Sequence, residues 1–93
     1  MTARQTDRYL NLLEAYLNAE AALTGYLAKE AAAQKILDAT RAVNTTESVM
    51  LPDLVAMREE SAKDHLAYCQ RQTAESRAAM EAAAARLNAF LAL

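Results

Sequence analysis

One stretch decides the fold of this chain, residues 51–91: LPDLVAMREESAKDHLAYCQRQTAESRAAMEAAAARLNAFL. Its apolar or small residues recur three and four positions apart: Leu51, Leu54, Val55, Ala62, Leu66, Cys69, Thr73, Met80, Ala84, Leu87 and Leu91. Residues with this spacing lie on one side of an α-helix. No Gly or Pro follows Pro52, so the pattern predicts one long amphipathic helix or two nearly collinear ones. A helix with one apolar stripe is not stable alone in water, so it must pack against another helix.

The first half of the chain supplies a partner helix. From Tyr9 onward the apolar residues fall within one broad face: Tyr9, Leu10, Leu13, Tyr16, Leu17, Leu23 and Leu27. The polar run NTTES at 44–48 predicts the turn, because Asn ends helices and Thr or Ser caps them. We therefore predict a helix over about residues 6–43, a turn at 44–47, a helix over about 47–72 that bends at Pro52, and a helix that continues or restarts at 73–92.

The predicted fold is all-α, a single domain over residues 1–93. It is a long antiparallel helical hairpin, or a three-helix bundle if a third helix starts near residue 73 with Thr73 as its cap. Each arm of the hairpin is about 60 Å long, and one hairpin leaves much of both apolar stripes exposed. A third helix, a homodimer that forms a four-helix bundle, or a complex with another protein would bury them. The sequence leaves these three arrangements open.

Composition argues against several classes of function. The 93 residues include one Gly, one Pro and one Cys, and about a quarter are Ala, which is typical of long helices. The net charge is −2 and the basic residues are scattered, so we expect no cationic surface for nucleic acid. The sequence lacks the long apolar run that is typical of a signal peptide or a membrane span. A single Cys fits a reducing compartment. We therefore expect a cytoplasmic protein that binds neither nucleic acid nor membrane.

The chain offers little chemistry for catalysis. His65 and Cys69 lie four residues apart, but a metal site needs further ligands and the sequence has no second His. We expect a packed Cys beside a His at the helix seam, with no catalytic, metal or cofactor site, so the protein is not an enzyme. Glu20 stands within the first apolar face, as a salt-bridged edge residue or as a charge that sets the register with a partner. The helical chorismate mutases are equally short, but their site needs Arg and Lys side chains inside the bundle, and the first face carries no Arg.

The turn and the segments beside it resemble the tubulin-folding cofactor A family. Residues 47–53, ESVMLPD, place acidic and hydroxyl residues before a hydrophobic pair and Pro-Asp, as that family does in its second helix. Upstream, YLAKEA at 26–31 with QKI at 34–36 is similar to the end of the family's first helix. The resemblance covers about residues 26–66. It implies a three-helix bundle that binds monomeric β-tubulin without ATP.

We therefore expect a non-enzymatic helical binding protein. The first hypothesis is a cofactor A-like chaperone that captures β-tubulin, and the alternative is a homodimeric helical-hairpin scaffold or adaptor that forms a four-helix bundle. Apolar residues off the main stripes of the two helices indicate where a protein partner would bind. The predicted partner-binding residues are Tyr26, Ile36, Met57, Arg58 and Tyr68.

Overall fold

Two long helices make up the fold. The computed structural model describes residues 1–46 and 52–93, apart from the side chain of Thr46. Helix α1 spans Ala3–Thr46 and helix α2 spans Pro52–Leu91, and these described parts of the chain contain no strand. The prediction of an all-α helical hairpin is confirmed.

Local chemistry accounts for the start of each helix. The Thr2 hydroxyl accepts a hydrogen bond from the Gln5 backbone N–H at 3.2 Å, and the Gln5 side chain accepts one from the Thr2 N–H at 2.7 Å. This reciprocal pair is a capping box, which satisfies two backbone donors that the helix itself leaves free. Pro52 is the first residue of α2, where a missing N–H costs nothing, and Asp53 follows in the first turn, where its charge favours the helix dipole.

The predicted boundaries at the turn were partly wrong. Residues 44–46, which we assigned to the turn, continue α1 as helix. Helix α2 is described from Pro52 onward, so the bend predicted at Pro52 depends on residues that the structure does not describe. The predicted helical start at 47–51 lies outside the described residues.

A third helix does not begin at residue 73. Helix α2 runs without a break through Thr73, whose side chain is buried. Its hydroxyl donates to the backbone carbonyl of Cys69 at 3.0 Å, which is the bond a Thr makes inside a helix and not at its cap. Within residues 1–46 and 52–93 the chain is therefore a hairpin and not a three-helix bundle.

The two helices meet along a seam with a strict seven-residue repeat. Buried and half-buried residues alternate at steps of three and four, and we name these the seam residues. On α1 they are Tyr9, Leu12, Tyr16, Ala19, Leu23, Tyr26, Glu30, Ala33, Leu37, Thr40 and Asn44; on α2 they are Val55, Glu59, Ala62, Leu66, Cys69, Thr73, Ser76, Met80, Ala83, Leu87 and Phe90. This spacing is that of a coiled coil, in which each helix keeps one narrow stripe toward its partner.

Three contacts show that the register is constant from end to end. The rings of Tyr9 and Phe90 stack with centroids 6.3 Å apart, the Thr73 hydroxyl oxygen lies 3.4 Å from the Tyr26 carbonyl oxygen, and the Asn44 amide donates to the Val55 carbonyl at 3.2 Å. Tyr9 and Tyr26 are 17 residues apart, as are Thr73 and Phe90. Tyr26 and Asn44 are 18 apart, as are Val55 and Thr73. The pairing of residues between the two helices therefore keeps the same register from one end of the seam to the other.

This register sets several large side chains opposite small ones. It places Ala33 level with Leu66, and Leu37 level with Ala62, within the cluster of buried residues at the centre of the seam. The same register sets Tyr16 level with Ala83. Alternation of large and small residues lets two helix backbones approach closely without leaving cavities.

The hairpin is a thin rod. Its extents are 71 × 15 × 13 Å and its radius of gyration is 20.7 Å, whereas a compact chain of this length has a radius of gyration near 12 Å. A rod of two helices has no interior beyond the seam, so each helix buries one stripe and exposes the rest.

We predict that Leu37→Ala lowers the free energy of unfolding by about 2 to 5 kcal/mol, because it leaves a cavity in the seam. Ile36→Ala is the matched control, since Ile36 is 51% exposed and Leu37 only 3%. The control should change the free energy by less than about 0.5 kcal/mol. Urea unfolding at one protein concentration measures both, and equal losses would contradict this assignment of the seam.

Candidate interaction surface

Four leucines of α1 lie on one flank of the seam. Leu10, Leu13, Leu17 and Leu27 each follow a seam residue directly, so the helix turns all four to the same side. Leu13 is half-buried, while Leu10 and Leu17 are each about half exposed and Leu27 is also exposed. We name this set the leucine flank. Among the residues that the structure describes, Leu10, Leu17 and Leu27 of this flank are exposed to water as large apolar side chains.

The opposite flank combines apolar, aromatic and cationic side chains. Ile36, Val43, Arg58 and Tyr68 each precede a seam residue, which turns them to the other side of the hairpin, and we name this set the tyrosine flank. Ile36, Val43 and Arg58 line one open depression of about 270 Å³. Tyr68 lines a neighbouring depression of about 350 Å³ together with Lys29 and His65.

The structure separates the five predicted partner-binding residues. Ile36, Arg58 and Tyr68 share the tyrosine flank. Tyr26 is half-buried at the seam, with the Lys29 ammonium 5.3 Å from its ring centroid. Met57 is 64% exposed but lies two positions from the seam residues on either side of it, so it points away from α1.

Arg58 has a structural contact as well as an exposed edge. Its Nε donates to the Asn44 side-chain carbonyl, and the Asn44 amide donates in turn to the Val55 carbonyl. Asn44 thus bridges the two helices next to the connection between them. The Nη2 atom of Arg58 is buried and has no hydrogen-bond partner among residues 1–46 and 52–93. From the sequence we expected Asn44 only to end α1, and this bridge was not predicted. Asn44 follows the seam residue Leu37 by seven residues, and this spacing indicates that Asn44 also lies at the seam.

His65 and Cys69 lie together at the edge of the seam. The Cys69 sulfur is 3.8 Å from the His65 Nε2 atom, the thiol is buried and the imidazole is exposed. Glu30 is level with Cys69 in the seam and is half-buried, although its place among polar residues favours an outward side chain. In the described ranges no group of three or more His, Cys, Asp or Glu side chains is placed to hold a metal ion.

Glu20 lies within the leucine flank and acts on Tyr16. It accepts a hydrogen bond from the Tyr16 hydroxyl one turn earlier, and this bond raises the pKa of Tyr16 above its ordinary value of 10.0. The negative charge of Glu20 and partial burial of the phenol raise that pKa further. The carboxylate is exposed, so the leucine flank carries one solvated charge between Leu17 and Leu27.

We predict that Glu20→Gln lowers the pKa of Tyr16 toward 10.0, because the neutral amide no longer disfavours the tyrosinate anion. The tyrosinate absorbance difference between each protein and its Tyr16→Phe form isolates this residue during an alkaline titration. Glu75→Gln, at an exposed position of α2, should leave the curve unchanged. A titration of Tyr16 that does not respond to Glu20→Gln would exclude the contact.

Comparison with known proteins assigns this chain to no family. No protein-family model, no curated protein and no solved structure matches this chain. Neither α1 nor α2, over the ranges that the structure describes, combines the length and apolarity that a membrane-spanning helix needs.

Proposed function

We propose that this protein is a non-enzymatic helical binding protein that holds another protein along the length of its hairpin. The observation that supports this is an excess of exposed surface. The chain exposes 6707 Å², whereas a compact monomer of 10.2 kDa exposes about 5,300 Å². Large apolar side chains are exposed along both flanks.

The first candidate partner is β-tubulin. It rests on the resemblance of residues 26–66 to the tubulin-folding cofactor A family, together with the position of the tyrosine flank. Three residues of that flank, Ile36, Val43 and Arg58, lie within residues 26–66 and line one depression, and Tyr68 lies two residues beyond that range. Aromatic, aliphatic and Arg side chains are the types that contribute most to protein–protein affinity. The described hairpin has no third helix over this flank, so the surface is open to a partner.

A second candidate function is that of a homodimeric scaffold or adaptor. The leucine flank favours it, because four large apolar residues on one side of α1 are a surface that a second hairpin can cover. The two candidates use opposite sides of the hairpin, so variants on one flank are natural controls for variants on the other.

We predict that Ile36→Ala combined with Tyr68→Ala weakens the complex with β-tubulin by about tenfold or more, as truncation of two central contacts does. Leu10→Ala combined with Leu17→Ala is the matched control, because all four side chains are about half exposed. Circular dichroism should show unchanged helicity in both double variants. Sedimentation velocity with β-tubulin measures the binding.

Two results would reject this candidate. Wild-type protein that sediments independently of β-tubulin at micromolar concentration would exclude β-tubulin as the partner. Binding that weakens in the leucine-flank variant and persists in the tyrosine-flank variant would assign the contact to the other side of the hairpin.

A further inference from the structure

Cations collect on the side of the hairpin that carries the tyrosine flank. Four basic residues directly precede a seam residue, which turns them to this side: Arg8, Lys29, Arg58 and Arg86. Arg4 joins them, because it lines an open depression of about 410 Å³ together with Arg8. We name these five residues the basic row. The row holds five of the ten Arg and Lys residues of the chain, whereas Glu75 is the one acid among the described residues that directly precede a seam residue.

The basic residues lie at matching heights on the two helices. Three open depressions each combine one residue of α1 with one of α2: Arg8 with Arg86, Lys29 with His65, and Ile36 with Arg58. On α1 the steps between these three levels are 21 and 7 residues, and on α2 they are the same. Because whole multiples of seven residues stay in line along a coiled coil, the cations follow one straight groove between the helices.

The basic row has no acidic partner within the described part of the hairpin. The ion pairs of the described residues join Glu59 of the seam to Arg41 and Lys63, which directly follow seam residues and so lie on the opposite side. Lys29 and Arg58 contact neutral side chains. Like charges that face each other across a narrow groove repel, and a partner of opposite charge removes that repulsion.

Small residues line much of the groove between the outer levels of cations. Between the level of Arg8 and the level of Lys29, ten described residues of the two helices directly precede a seam residue, and five of them are Ala or Gly: Ala15, Ala22, Gly25, Ala79 and Ala82. The other five are Asn11, Asn18, Tyr68, Gln72 and Glu75. A Cβ built on Gly25 would meet no atom within 4 Å. Since small side chains allow close approach of helix axes, this groove has room for a third helix.

We propose that an acidic helix of another protein lies along the basic row, in the groove between α1 and α2. The inference rests on the proposed function as a binding protein and names the chemistry of the partner. A helix that follows the same coil can present carboxylates to all three levels from one of its faces, because the levels are whole heptads apart. Arg and Lys form charge-assisted hydrogen bonds with carboxylates. The levels span 28 residues of α1, so the partner helix is about 42 Å long.

The spacing of the cations favours such a helix over a nucleic acid. The levels of Arg8 and Lys29 are about 30 Å apart, and Glu75 is the one charged residue between them on this side. Phosphates recur about every 3.4 Å along a DNA strand, so most of them would find no cation here. Carboxylates on a helix can instead be placed at the heights of the cations alone.

Fluorescence anisotropy with a labelled synthetic peptide tests this surface. The probe is an Ala-rich helix of about 30 residues with Glu at seven-residue steps on one face, and the control peptide has Lys in place of each Glu. We expect the Glu peptide to bind with a micromolar dissociation constant and the Lys peptide to bind at least tenfold more weakly. Salt at about 1 M should abolish the binding, because it screens charges beyond about 3 Å.

Two double variants with equal net charge locate the contact. Arg8→Glu combined with Arg86→Glu should raise the dissociation constant of the Glu peptide at least tenfold and should strengthen binding of the Lys peptide. Arg71→Glu combined with Arg77→Glu is the matched control, because both residues are exposed and neither directly precedes a seam residue. The control should stay within about threefold of wild type. If the first variant loses helicity by circular dichroism, the corresponding Arg→Gln pairs replace both variants.

Four results would overturn the inference. These are no binding of the Glu peptide at about 100 μM, equal losses in the two double variants, binding that persists in about 1 M salt, and tighter binding of phosphatidylserine vesicles or single-stranded DNA than of the Glu peptide. The last result would assign the basic row to a membrane or a nucleic acid.

The same reagents separate this inference from the proposed function. Protein that ignores the Glu peptide and still sediments with β-tubulin would overturn the acidic helix and leave the binding function in place. Protein that binds the Glu peptide through Arg8 and Arg86 and ignores β-tubulin would exclude that partner and support the acidic helix.

Discussion

The packing of large side chains of one helix against small side chains of the other at the centre of the seam is the constraint on which this structure depends. Leu37 with Ala62, and Leu66 with Ala33, bring the two backbones close at the centre of the seam. A shift by one residue would set seam residues of one helix against flank residues of the other. The stacked rings of Tyr9 and Phe90 and the Asn44–Val55 hydrogen bond hold the two ends in the same register.

The narrowness of the seam accounts for the surface that remains. Two helices share one line of contact, so each covers only a stripe of the other. Perpendicular to its length, the rod measures 15 × 13 Å. Residues directly before or after the seam positions stay exposed on two flanks. Leu17 and Ile36 illustrate this, since each adjoins a seam residue and yet is half exposed. The binding function that we propose rests on these two flanks.

The sequence predicts the helices well and the seam only in part. The three-and-four spacing in 51–91 finds α2, because hydrophobic periodicity depends on one helix alone. It does not show that Glu30 and Asn44 face α2, since polar seam residues can be recognised only once the partner's register is known. It also merges Leu10 and Leu17 with Tyr9 and Tyr16, because adjacent apolar residues widen a face without showing which of them is covered. Likewise, the polar residues around Thr73 suggested a helix break. The sequence alone does not show that most of them lie on the exposed side of an unbroken α2.

The separation of the two chain ends tests the antiparallel seam most directly. Arg8 of α1 and Ala89 of α2 line one surface depression, so spin labels at these positions must be close. The labels are introduced through Arg8→Cys and Ala89→Cys in a Cys69→Ala background, and the sample is diluted with unlabelled protein so that only distances within one chain contribute. The seam predicts a dipolar EPR distance below about 20 Å, since packed helix axes are 8–10 Å apart. A distance approaching the 71 Å length of the rod would contradict the account.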